Sequence, residues 1–93
     1  MSKTISYRAV LIEKVTSAML AGLLVGATTL VVAIDVAKTK MMAGFGREDG
    51  GVARLIRFES PTETRAFVDL VLDTAAVLGV PVEAVARTRK ASR

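Results

Sequence analysis

The chain has no cysteine and no histidine in 93 residues. That excludes a disulfide scaffold, a thiolate nucleophile, a zinc finger and imidazole acid–base chemistry. Any catalysis falls to carboxylates, hydroxyls and amines. The lack of cysteine fits a reducing cytoplasm. Tryptophan is also absent, and Tyr7, Phe45, Phe58 and Phe67 are the whole aromatic set. So few rings argue against a base-stacking platform for nucleic acid. This length makes one small domain at most. With 52% apolar and 24% charged residues, the composition is that of a folding chain and not of a disordered polar tract.

The net charge of +4 is unevenly spread. Residues 1–34 carry +2, from Lys3, Arg8 and Lys14 against Glu13. Residues 35–86 carry −2, from eight acids against six bases. Arg87, Arg89, Lys90 and Arg93 then equal the whole excess. The charge belongs to an end and not to a face. A short basic end can touch phosphates, but it reads first as a solvated terminus.

No charged residue occurs from Ser17 to Ile34, a run of 18. That length is the lower limit for a membrane-spanning helix, and three bases precede it. Gly22 and Gly26 add a G-x-x-x-G spacing, a close-packing motif between membrane helices. A second reading splits the run. Residues from about Ser6 to Val25 favour helix. Gly26-Ala-Thr-Thr29 breaks the pattern, and Leu30-Val-Val-Ala-Ile-Asp-Val36 is rich in β-branched residues and strand-like. The composition switch at Gly26 favours the split, with a small membrane-anchored protein as the alternative.

A hairpin series follows. Met41–Phe45 and Val52–Phe58 flank the turn Gly46-Arg-Glu-Asp-Gly-Gly51, whose Asp49-Gly50 suits positive-φ positions. Ser60-Pro61-Thr62-Glu63 then reads as a capping box, with Ser60 at the N-cap and Glu63 at N3. The helix is expected to run to about Leu78, burying Phe67, Leu70, Val71, Ala75 and Leu78. Gly79 suits its end, and Pro81 forbids continuation. Residues 81–85 are expected as a short strand, parallel to the first through a crossover.

Asp35 is the candidate site residue. An acid near the end of a buried strand is costly without a partner. It can cap the turn Val36–Lys40, or it can serve as a metal-binding carboxylate, since Mg²⁺ sites use one or two carboxylates. In phosphoryl transfer two such ions flank the scissile phosphate.

The stretch Leu30-Val-Val-Ala-Ile-Asp-Val-Ala-Lys-Thr-Lys-Met-Met-Ala-Gly-Phe45 resembles the opening of the DEDD-type insertion-sequence transposases. The motif Ile34-Asp35-Val36-Ala37-Lys38 carries the likeness, and the order of elements to Val85 extends it. The likeness implies an α/β fold, part of an RNase H-like (RuvC-like) domain. That part has a three-stranded antiparallel meander, a crossover helix and a short fourth strand. It further implies that Asp35 is the first catalytic acid and a Mg²⁺ ligand, with DNA and a guide RNA as partners. The family's second acid is expected near Arg87, with Glu83 too early in the strand. The division that follows is an apolar N-terminal helix over 1–29, a partial transposase domain over 30–86 and a basic, unstructured tail over 87–93. The chain then reads as a truncated, inactive, cytoplasmic transposase fragment. Its uncovered sheet could make it a homo-oligomer. Asp35-Val-Ala-Lys-Thr39-Lys40 also resembles the first phosphate loop of sugar kinases of the actin-like ATPase superfamily. Ala37 and Lys38 stand where that loop has glycines, which argues against nucleotide binding.

Overall fold

The computed structural model describes residues 9–36 and 39–88. The architecture is mixed α/β: a five-stranded sheet with two α-helices on one face. The strands are β1 (Val10–Leu11), β2 (Leu30–Val36), β3 (Lys40–Arg47), β4 (Val52–Glu59) and β5 (Val82–Thr88). The helices are α1 (Ser17–Leu23), between β1 and β2, and α2 (Thr64–Leu78), between β4 and β5.

The sheet order is β1-β4-β3-β2-β5. β2, β3 and β4 form an antiparallel meander, β1 lies parallel to β4, and β5 lies parallel to β2. Two crossovers therefore run in the same direction across the sheet, β1-α1-β2 and β4-α2-β5. The strong handedness preference of such connections admits only one face for both helices. Both helices lie on that face and pack on each other and on the sheet.

The core is where the two periodicities meet. Leu30 and Val32 of β2, Ala43 and Phe45 of β3, and Ile56 and Phe58 of β4 alternate toward the helices. Leu20 and Leu24 come from α1 and its end, and Phe67, Leu70, Val71 and Ala75 from α2. Phe67 is the wedge that joins the layers. Its ring stacks on Phe58 at 4.3 Å and 10°, and meets Phe45 edge-on at 6.0 Å and 74°. No described element covers the other face of the sheet.

The hairpin forms as expected and runs longer. Gly50 takes φ +92°, and the Asp49 side chain accepts from the Gly51 amide at 2.8 Å, closing an Asx turn. Gly46 is required by space: a Cβ there would run into the Gly51 carbonyl oxygen. The pairing slips at Phe45/Gly46, a bulge beside this turn. Gly79 ends α2 at φ +69° and donates to the Ala75 and Ala76 carbonyls. The fourth strand of the expected set, β5, continues through Arg87 and Thr88. Residues 89–93 of the expected tail lie outside the described residues.

Two expectations need correction. The apolar N-terminal helix does not form as anticipated over residues 6–25. In the described part of that stretch, Val10–Leu11 pair with Ile56 and Arg57 of β4, and Ile12–Lys14 make a single 3-10 turn. Only Ser17–Leu23 are α-helical, capped by the Thr16 hydroxyl accepting from the Met19 amide at 3.2 Å. Pairing to the open edge of β4 outweighs local helix propensity here. α2 also begins later than the capping box implied. The Ser60 amide donates to the Thr39 carbonyl at 2.8 Å, so strand pairing reaches through the expected N-cap. The Glu63 carboxylate still reaches back, but it accepts from the amide of Glu59 at 2.9 Å. The Ser60–Pro61 peptide is cis.

The long uncharged run is split between α1 and β2, with Gly26 at φ +90° in the turn between them. No helix among the described residues is long and apolar enough to cross a membrane. This overturns the helical-span reading of residues 17–34. The G-x-x-x-G spacing is not a packing face either. Gly22 faces open space in α1, and Gly26 lies beyond the helix.

Candidate functional site

β2 is bordered by β3 on one side and β5 on the other, which makes it the inner strand of the parallel pair. Its helix-facing residues are Leu30, Val32 and Ile34, so alternation sends Val31, Ala33 and Asp35 to the open face. Asp35 is the sixth of seven residues in β2, close to the strand's C-terminal end. It is partly buried. A strand held on both sides by ladders keeps its backbone fixed, which makes it a rigid mount for a functional side chain.

Register defines the surroundings of Asp35. Met42 of β3 lies opposite it on one side and position 87 of β5 on the other. Arg57 of β4 is opposite Met42, and Leu11 of β1 is opposite Arg57. One row across the sheet therefore reads Arg87, Asp35, Met42, Arg57, Leu11. Arg57 is exposed, two strand spacings or about 10 Å from Asp35. The next row reads Val85, Ala33, Gly44, Leu55, and is apolar with small residues. Arg87 thus occupies the position next to Asp35 where the second acid of a DEDD set was expected. Glu83 lies opposite Val31, four residues back along the same strand.

No described residue places a second carboxylate in register beside Asp35. Among the described residues, no group of three or more potential ligands comes together as a metal site. The turn that Asp35 could cap includes Ala37 and Lys38, which lie outside the described residues. The same two positions carry the phosphate-loop comparison, so that alternative also falls outside them. A pocket of about 380 Å³ lies elsewhere, between β1, β4 and the start of α2. Lys40, Arg57, Glu59 and Glu63 line it with both signs of charge, and Asp35 takes no part.

One polar cluster has no counterpart in the local sequence pattern. The β3–β4 turn reaches over the loop before β2 and fixes where that strand starts. Arg47 donates to the Val25 carbonyl at 2.7 Å. The Glu48 carboxylate accepts from the Thr28 amide at 2.9 Å and the Thr29 amide at 3.3 Å. These bonds favour the charged carboxylate, so its own backbone amide first, and then that of Thr28, hold Glu48 below the usual carboxylate range. The only local signal was a charged pair at the tip of a glycine-rich turn, which ordinarily reads as solvated.

No protein-family model matches the chain, and neither a curated protein nor a solved structure matches it significantly.

Proposed function

We propose that residues 30–86 form the leading part of an RNase H-like, RuvC-like domain of the DEDD transposase kind, with Asp35 as the first acid of its set. The order and direction of the strands around β2 support this. A meander β2-β3-β4 leads into α2, and β5 returns beside β2 and parallel to it. The candidate carboxylate sits at the C-terminal end of β2, the end at which open α/β sheets place their ligands.

In this reading the parent activity is metal-dependent cleavage and joining of DNA strands in the cytoplasm, with a guide RNA as a further partner. Mg²⁺ would supply charge neutralisation at the phosphate. The residues in hand do not fit a two-ion site. Asp35 stands between a methionine and the position of an arginine, and one carboxylate does not hold two ions. The chain by itself is therefore inactive.

Two measurements test the proposal. The purified chain, given Mg²⁺ and plasmid DNA, should leave the DNA intact. Robust cleavage that disappears in Asp35→Ala would overturn the inactive reading. The coding DNA past codon 85 should contain a frame encoding Glu followed by Thr-Gly and further acids. If no frame does, the transposase reading fails.

A further inference from the structure

Among the described residues, β5 is the long edge strand of the sheet. β1 protects the β4 side with only two residues. β5 presents seven, and no described residue pairs with its outer side. Val82 to Ala86 are all exposed, and the strand contains neither proline nor lysine, two common devices for closing an edge.

The direction of its free hydrogen-bonding groups follows from one contact. The Leu30 amide donates to the Pro81 carbonyl at 2.9 Å, so the backbone of residue 81 faces β2. Alternation turns Glu83, Val85 and Arg87 toward β2 as well. The backbone groups of Val82, Ala84, Ala86 and Thr88 then point outward.

We propose that β5 pairs with β5 of a second copy, antiparallel, about a two-fold axis at Val85. The charge pattern selects this register. Glu83 and Arg87 lie two residues either side of Val85, so the two-fold places each acid opposite the other copy's base. Backbone geometry admits it and excludes the registers one residue away. In that register the outward groups of Ala84 meet those of Ala86 in the second copy, and Val82 meets Thr88, as bonded pairs. Glu83 opposite Arg87, and Val85 opposite Val85, become the non-bonded pairs, where side chains approach most closely. A shift of one residue breaks both matches. An isologous contact of this kind closes at two copies and leaves no β5 edge free. The result is one continuous sheet of ten strands, five from each copy. The inference rests on the edge of β5 and is independent of the role of Asp35.

Sedimentation equilibrium of the full chain over a concentration series tests it. Dimers are expected, and amide exchange at Ala84 and Ala86 should slow as dimer forms. Ala84→Pro removes an amide that faces away from β2, so the fold should persist while the dimer is lost. Glu83→Lys alone should weaken the dimer by on the order of tenfold, through two like-charge contacts. Arg87→Glu added to it should restore the wild-type constant. A chain that stays monomeric to about 1 mM overturns the proposal. So does a folded Ala84→Pro variant that still dimerises, or a double variant that fails to recover. If Ala84→Pro unfolds, the charge swap and the wild-type amide exchange decide the matter alone.

Discussion

Phe67 holds α2 to the meander, and through α2 it fixes where β5 returns. Replacing it with alanine tests that link. The side chain is 6% exposed and touches the rings of both Phe58 and Phe45. Truncation of a buried phenylalanine costs ~3–5 kcal/mol, through lost transfer energy and the cavity left behind. Two ring pairs, each worth ~0.5–1.5 kcal/mol beyond burial, place this site in the upper half of that range. A domain of this length has about 5–14 kcal/mol in total. Phe67→Ala should therefore remove roughly 30% or more of the stability. Phe67→Leu keeps most of the volume but loses both ring contacts, and should cost about 1–3 kcal/mol. Val77→Ala lies on the same helix at a position 62% exposed, and should stay within about 0.5 kcal/mol of wild type. Urea unfolding followed by far-UV circular dichroism reads all three, since the chain has no tryptophan. A loss below about 1 kcal/mol in Phe67→Ala would show that α2 is not anchored by this ring. The crossover that sets β5 beside β2 would then need another explanation.

Glu48 gives a pH signature. Its folded carboxylate is held below the unfolded value of 4.5, so its contribution to stability is present above that value and is lost as pH falls through the folded pKa. Glu48→Gln should flatten this part of the acid limb of Tm against pH, and an unchanged limb would contradict the clamp on Thr28 and Thr29. The glycines give a contrast in sign. Gly46→Ala meets the Gly51 carbonyl and should destabilise by about 1–3 kcal/mol, whereas Gly22→Ala enters open space in α1 and should stabilise by about 0.5–1 kcal/mol. Thermal melts of the two variants should move in opposite directions.

Much of the architecture was legible along the chain. The switch at Gly26 from helix-forming to β-branched residues marks the break between α1 and β2. The Asp49-Gly50 turn and the alternation on either side of it specify the hairpin. The stripe of Phe67, Leu70, Val71 and Ala75 specifies the buried side of α2, and Gly79 its end. These features depend on neighbours within a few residues, so local sterics and periodicity determine them.

Other features depend on partners far away in sequence. Val10 and Leu11 sit in a stretch of good helix formers, yet they pair with β4 because its edge offers unmet hydrogen bonds some 45 residues later. Ser60 reads as an N-cap until the Thr39 carbonyl claims its amide. Glu48 reads as a solvated turn residue until the loop before β2 brings two amides to it.

The candidate site divides in the same way. The sequence by itself determined that an acid, Asp35, lies near the end of an apolar, β-branched strand, and the fold turned it to the strand's open face. Only the tertiary structure decided that β5 continues to Thr88 and sets Arg87 in register with Asp35. Strand register is fixed by matching one buried face to the helices across the whole sheet, and no local stretch of residues carries that information.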